Sequence, residues 1–297
     1  MRATPTTDTV PPTGAATPNQ SAERKQARRE LISLLLRRPG FIIGNIVIGF
    51  WVFCAIFQLA PYDAFNDFDI GHLPPSPEHL FGTDRLGRDV LSRIIVGARD
   101  VFIVAPLAAI FGVVAGTLLG LIMGFYRGLV DDIISRIVEA FLSLPVILVA
   151  LLTLVVLGSS TQVVILVVGV LFTPIVARTV RSAVLAERQL DYVTAARLRG
   201  ETGPFIMVRE IFPHILPPIL VEMTVRFGYA IFTVATLSFL GVGIQPPSPD
   251  WGLQVSEEYS NMIGGVWWPT LFPALAIATT VIAINLIADA LAAATSE

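Results

Sequence analysis

Along most of this chain, apolar residues run in blocks of about 20, the length an α-helix needs to cross a hydrocarbon layer, separated by short charged stretches. The blocks are 41–60, 101–126, 133–158, 163–176, 218–243 and 270–291. They predict an all-α integral membrane protein with six transmembrane helices. The third block contains Pro145, which removes a backbone donor and predicts a kink in mid-membrane. The fourth is short, and the helical periodicity after Val176 predicts that its axis continues beyond the bilayer. The second carries Ala108, Gly112, Gly116, Gly120 and Gly124 at every fourth position. Small residues along one side of a membrane helix let another helix approach closely, so this stripe predicts a tight helix–helix interface, either internal or with another subunit.

Composition agrees: apolar residues make up 54% of the chain and charged residues 14%, against about 25% charged in soluble domains. Charge placement then orients the spans, because loops rich in Arg and Lys stay in the cytoplasm. Arg24, Lys25, Arg28, Arg29, Arg37 and Arg38 precede the first block, and Arg178, Arg181, Arg188, Arg197, Arg199 and Arg209 stand between the fourth and fifth. Segment 244–266 holds Asp250, Glu257 and Glu258 with no positive residue, and 61–100 has an acidic excess. The first pair belongs inside and the second outside, so six crossings leave both termini in the cytoplasm. Residues 1–38 form a tail. Its first 20 residues, rich in Thr, Pro and Ala, are expected to be disordered, and 21–38 read as a basic amphipathic helix on the anionic inner surface. Residues 39–297 form the six-span domain. The first block is expected to stay as an anchor, because about 40 residues precede it and its length does not suit a cleaved leader.

One charged stretch between blocks, DYVTAARLRGETGPFIMVREIFP (191–213), keeps the periodicity of two short helices. A polar helical hairpin tethered between spans needs a partner outside the bilayer. Ala195 and Ala196 leave a flat surface for close approach, and Gly200 permits the positive φ that ends a helix. This predicts a docking lever.

Other chemistry is largely excluded. Cys54 is the single cysteine, so there is no intramolecular disulfide and no cysteine-based zinc site, and His72, His79 and His214 are scattered. No metal site is expected. No basic stripe suits nucleic acid. GTDRLGRD (82–89) is not a phosphate loop, because that motif needs a Gly-Lys pair and Lys25 is the only lysine. It reads as a turn plus an outer amphipathic helix in which Asp84, Arg85, Arg88 and Asp89 pair locally. Glu222 with Arg226, Arg136 with Glu139, and Asn285 with Asp289 read as structural pairs near the inner surface rather than substrate ligands. Trp267 and Trp268 fit an outer aromatic belt.

Three stretches carry a family resemblance: the hairpin, with Thr194, Ala195, Ala196, Gly200 and Pro213 at signature positions; HLFGTDRLGRDVLSRIIVGAR (79–99); and LSFLGVGIQPPSPDWG (237–252). With the span layout they make the chain resemble a permease subunit of a bacterial ABC importer, in the dipeptide, oligopeptide and nickel group, C-type. Thr194 stands where that signature has an acid, Glu210 where it has isoleucine and Phe212 where it has leucine. The resemblance implies a type I ABC importer permease fold with a cytoplasmic coupling-helix hairpin, in the bacterial inner membrane. It implies ATPase-coupling roles for Asp191, Thr194, Ala195, Ala196, Arg197, Gly200 and Pro213. It also implies a homologous permease as heterodimer partner, two ATP-binding subunits that hold ATP and Mg, and an extracytoplasmic solute-binding protein. Asp84, Arg85, Arg88, Asp250 and Trp251 are candidate outer-face contacts, with plain scaffolding the alternative. The cargo of such relatives ranges over peptides, nickel, glutathione and haem, and short peptides are the commonest.

The rival mechanism is an ion-gradient-driven secondary carrier. It calls for inverted repeats and broken polar helices at mid-membrane, and the ionisable residues here cluster near the inner surface. An intramembrane enzyme lacks its paired mid-span aspartates or HExxH helix.

Overall fold

The computed structural model describes residues 35–66 and 70–296, so most of the expected tail, including most of its basic helix, lies outside the described residues. The described chain is helical: α1 (Pro39–Phe57), α2 (Val90–Tyr126), α3 (Leu129–Leu142), α4 (Val146–Leu157), α5 (Thr161–Glu187), α6 (Asp191–Leu198), α7 (Phe212–Phe239), α8 (Trp251–Glu258) and α9 (Trp268–Ser296). Among the described residues there is no strand, only an isolated bridge between Thr83 and Asp89. Five helical stretches are long and apolar enough to cross a membrane, and a sixth crossing exists if α3 and α4 are taken together.

The third predicted span is therefore corrected from a kinked helix to a broken one, with α3 and α4 meeting at 87°. Pro145 cannot donate to the helical ladder, and it caps α4 in an extended conformation. The block also concealed an amphipathic segment. In α3, Asp132, Ser135, Arg136 and Glu139 lie away from the exposed apolar Ile133, Ile137 and Phe141, the division that suits a helix lying along a membrane surface. Asp131 fastens it to α5 by accepting two bonds from Arg181, at 2.6 and 2.7 Å, the bidentate arrangement that fixes orientation as well as distance. No bond joins Arg136 to Glu139, or Asn285 to Asp289, among the described residues. Glu222 and Arg226 do pair, at 2.8 Å, both largely buried.

α2 starts at Val90, so the expected outer helix and the second span are one 37-residue rod, about 55 Å long. Asp89 begins it, its side chain accepting from the Ser92 amide at 2.8 Å, as an N-cap does. The rod lies parallel to α5 along the glycine stripe. A Cβ on Gly112 would come within 2.8 Å of the Phe172 Cβ, on Gly116 within 2.5 Å of Val176, on Gly120 within 2.7 Å of Val180 and on Gly124 within 2.6 Å of Val184. Each pair is sixty positions apart, so the stripe is one continuous internal seam, with Phe172 and three β-branched valines set into notches that only glycine leaves. The main apolar core gathers around α2, α5, α7 and α9, and a second cluster sits at the arginine-rich end.

Replacing Gly116 with valine is expected to lower stability by roughly 1–3 kcal/mol through overpacking, and Val176→Ala in the same chain is expected to recover part of the loss. Thermal unfolding of the two variants in detergent checks both; independent, additive effects would contradict the seam.

Candidate functional site

α5 continues past the apolar block to Glu187, as the periodicity predicts, and turns at Leu190 into α6. Gly200 follows α6 with φ +79°. Its amide donates to the Arg197 carbonyl at 3.0 Å, and the Glu201 amide donates to the Ala196 carbonyl at 3.2 Å. These two bonds close the helix end through a left-handed residue. A second separate helix, expected after Gly200, is not formed. Residues 203–205 and a π-helical turn, Ile206–Ile211, run straight into α7, giving one rod from Gly203 to Phe239. Pro213 accounts for the widened turn, since it has no N–H for the carbonyl four residues back.

The hairpin is clamped from within. Val193 and Ala196 are fully buried and belong to one apolar cluster with Phe125, Val184, Ile206 and Ile211. The Tyr192 hydroxyl donates to Glu187 at 2.6 Å, and its ring stacks on His214 with centroids 4.7 Å apart. Burial first, and the Glu187 carboxylate second, push the Tyr192 phenol above its ordinary pKa. Arg199 donates to Glu210 at 3.0 Å, an exposed pair worth at most about 1 kcal/mol. The outward face carries Asp191, Thr194, Ala195 and Leu198, spaced as one stripe of a helix. Leu198 is 85% exposed.

At the opposite end, the segment before α2 and the helix α8 lock together through buried charge. Asp84 accepts from Arg88 Nε at 2.7 Å, and Glu257 accepts from Arg88 and Arg93 at 3.2 and 3.3 Å. Glu258 accepts from the Arg85 amide at 2.9 Å and meets His72 at 3.0 Å. Trp251 donates to the Ile94 carbonyl at 2.9 Å, and Trp268 to that of Thr83 at 3.1 Å. Gly97 leaves room for this closure, since a Cβ there would overlap the Pro249 carbonyl.

Residues 116–296 match the family described as binding-protein-dependent transport system inner membrane component. The chain belongs to this family. It is 41% identical over 255 residues to the glutathione transport system permease protein GsiD of Escherichia coli O6:K15:H31 (strain 536 / UPEC), covering 84% of this chain and 82% of that one. It is 38% identical over 266 residues to a putative peptide transport system permease protein of Brucella suis biovar 1 (strain 1330), covering 86% and 87%. An inward-facing structure of the MetNI methionine ABC transporter shares the fold, with a TM-score of 0.56 at 22% identity over 68% of this chain and 96% of that one. The protein is thus a multi-pass inner-membrane permease component of an ABC importer, and ATP hydrolysis belongs to partner subunits rather than to this permease.

In the permease, the structure brings the expected hairpin residues into one unit but divides their faces. Ala196, expected on the docking surface, points into the core because its position belongs to the buried stripe with Val193. Leu198 stands on the exposed stripe, and was missed because its apolar character in the sequence reads as core. Of the five candidate outer contacts, Asp84, Arg88, Asp250 and Trp251 are buried, at 4%, 9%, 1% and 0% exposure, and hold the end opposite the hairpin together; Arg85 remains exposed. Trp268 is likewise inside, whereas Trp267 is exposed. Gly112, Gly116, Gly120 and Gly124 line the internal seam.

Asp250 caps α8, accepting from the Leu253 amide at 3.0 Å. Burial, aided by Asp100, pushes its carboxyl up from 3.8 to about 6. A raised folded pKa means the fold favours the protonated acid. The group's stabilisation is therefore full below about 3.8 and lost as pH rises through about 6, an effect of about 2–3 kcal/mol. Asp250→Asn keeps a cap acceptor without titrating. Unfolding temperatures measured from pH 4 to pH 7 are expected to fall with rising pH more steeply for the native permease than for this variant; parallel curves would contradict the assignment.

Proposed function

We propose that the permease forms half of a translocation pathway for short peptides, with the α6 hairpin as the lever through which a nucleotide-binding subunit drives it. The observation that carries this reading is the division of α6 into a face fully sunk in the core and an opposite face, Asp191, Thr194, Ala195 and Leu198, with nothing covering it. A helix fixed on one side and open on the other transmits a push instead of absorbing it. Its connection to α5 without a flexible linker, and to the Gly203–Phe239 rod through the Tyr192–His214 stack, carries the push into two spans.

The arginine excess around the hairpin supports a cytoplasmic position for it and for both termini. A homologous permease would supply the other half of the pathway, two ATP-binding subunits the energy, and an extracytoplasmic protein the solute. Nucleotide binding and release then shift the pair between outward- and inward-facing states. The relatives' names point to glutathione and to peptides. Both are short peptides, and this class is the proposed cargo. The acidic outer end, with Arg85 exposed, is the proposed landing for the solute-binding protein.

Reconstitution of the complete complex in liposomes with its binding protein tests the reading: short peptides are expected to stimulate hydrolysis and to accumulate only with ATP. Uptake by the permease alone, driven by an ion gradient, would establish the secondary carrier instead. Gly200→Val places a β-branched residue at φ +79° with open space around it, so its cost is backbone strain of about 1–2 kcal/mol. That variant is expected to insert and assemble yet hydrolyse ATP without matching uptake. Leu198→Asp is expected to lose at least tenfold in uptake by weakening docking itself; native uptake in both variants would refute the lever.

A further inference from the structure

We propose that Arg127, Arg188 and Arg197 form a socket for a carboxylate presented by the nucleotide-binding subunit, joining the lever to the glycine-seamed pair of helices. The proposal rests on the docking reading above and names the chemistry of its contact. The sixty-residue register of the seam brings the end of α2 level with the end of α5, so Arg127 and Arg188 cap neighbouring helix ends within reach of each other's charge; the α6 hairpin folds Arg197 back onto the same ring as Arg188. Phe125 is the floor. The guanidinium carbons of Arg188 and Arg197 lie 6.0 and 5.5 Å from its ring centroid, a distance at which a cation is attracted to a ring face.

Among the described residues, three cations have been gathered without an anion. None of the three takes part in an ion pair among the described residues, although Asp131, Glu201 and Glu210 all pair with other arginines at this end. Arg188 Nη1 is buried and has no hydrogen-bond partner among the described residues. Burial, then Arg197, then Arg127 lower the Arg188 pKa. A buried charged donor left unmatched is costly, and an acid reaching it would be held by two or three charge-assisted bonds.

Depth separates a protein carboxylate from a lipid phosphate. α5 carries no charge from Thr161 to Ala177; Arg188 stands ten residues beyond Arg178, about 15 Å along the helix. The headgroup layer of one leaflet is only about 5–8 Å thick. The socket therefore lies beyond the headgroups, level with α6 and continuous with its outward face, where the nucleotide-binding subunit is placed.

The test uses the complete complex in nanodiscs of zwitterionic lipid and measures retention of the ATP-binding subunits as KCl is raised. Arg188→Gln is expected to weaken retention about tenfold and to flatten its salt dependence, while Arg188→Lys keeps the slope. Leu198→Ala is expected to weaken retention with the slope unchanged. Native affinity and slope in Arg188→Gln, with Leu198→Ala still weakened, would overturn the socket and leave the docking reading standing; no effect from either variant would overturn the docking reading itself. A loss seen only when anionic lipid is present would assign the socket to headgroups and overturn the proposal. In the isolated permease, removing an unmatched charge is expected to leave the unfolding temperature of Arg188→Gln at or above that of the native protein. A clear fall would show that Arg188 holds the hairpin from within, again overturning it.

Discussion

The contact on which the rest of the structure depends is the seam between α2 and α5. In a bilayer no hydrophobic gain draws two apolar helices together, so close van der Waals fit must do it. Here four glycines on one helix receive Phe172, Val176, Val180 and Val184 of the other at a constant register. The valines are stiff at χ1, which limits how far either helix can slide or roll. A register held over more than three turns makes the two helices one body, and its two ends inherit their geometry from it.

At the end opposite the hairpin, the rod begins with the Asp89 cap and carries Arg93 and Gly97 into the closure made by α8. Charge is sealed inside this closure, with Arg88 and Arg93 shared between Asp84 and Glu257. Buried ion pairs of this kind contribute little net stability, because desolvation offsets attraction, but breaking one leaves an unmatched charge. They define an arrangement more than they strengthen it. At the arginine-rich end the same rod supplies Phe125 as the floor beneath the hairpin, and α5 passes into α6 through a tight turn. The hairpin thus moves with the seam. Of the broken segment, α3 is joined to this unit by the Asp131–Arg181 bonds and a small apolar cluster of Met123, Val138 and Ala177, and α4 by Ala150 and Leu154, which are buried in the main core.

Much of this was legible in the chain. Blocks of apolar residues long enough to span, the stripe at every fourth position and the glycine that ends α6 each follow from local rules, and each stands in the structure. The α3–α4 break was not legible as such. Apolar content averaged over residues 133–158 hides the polar face of α3, and a proline inside a membrane helix is compatible with a kink as well as a break. The outer candidates failed for a related reason. Charged residues in a loop read as solvated, and nothing local to Asp84 or Arg88 says that Glu257, some 170 positions away, will cover them.

The sequence by itself determined the class of the protein, the positions of its apolar helices, the asymmetry of charge between its loops and the place of a short polar helix between two of them. These depend on transfer free energies and backbone preferences that act residue by residue. Only the tertiary structure decided which faces are used: that the glycine stripe closes internally on α5, that Ala196 turns inward while Leu198 turns outward, and that Arg188 and Arg197, from separate elements, meet over Phe125 without an acid paired to either among the described residues. A face is a relation between elements distant in sequence, set by the register of the seam and the path of the turns. Local pattern contains no term for it.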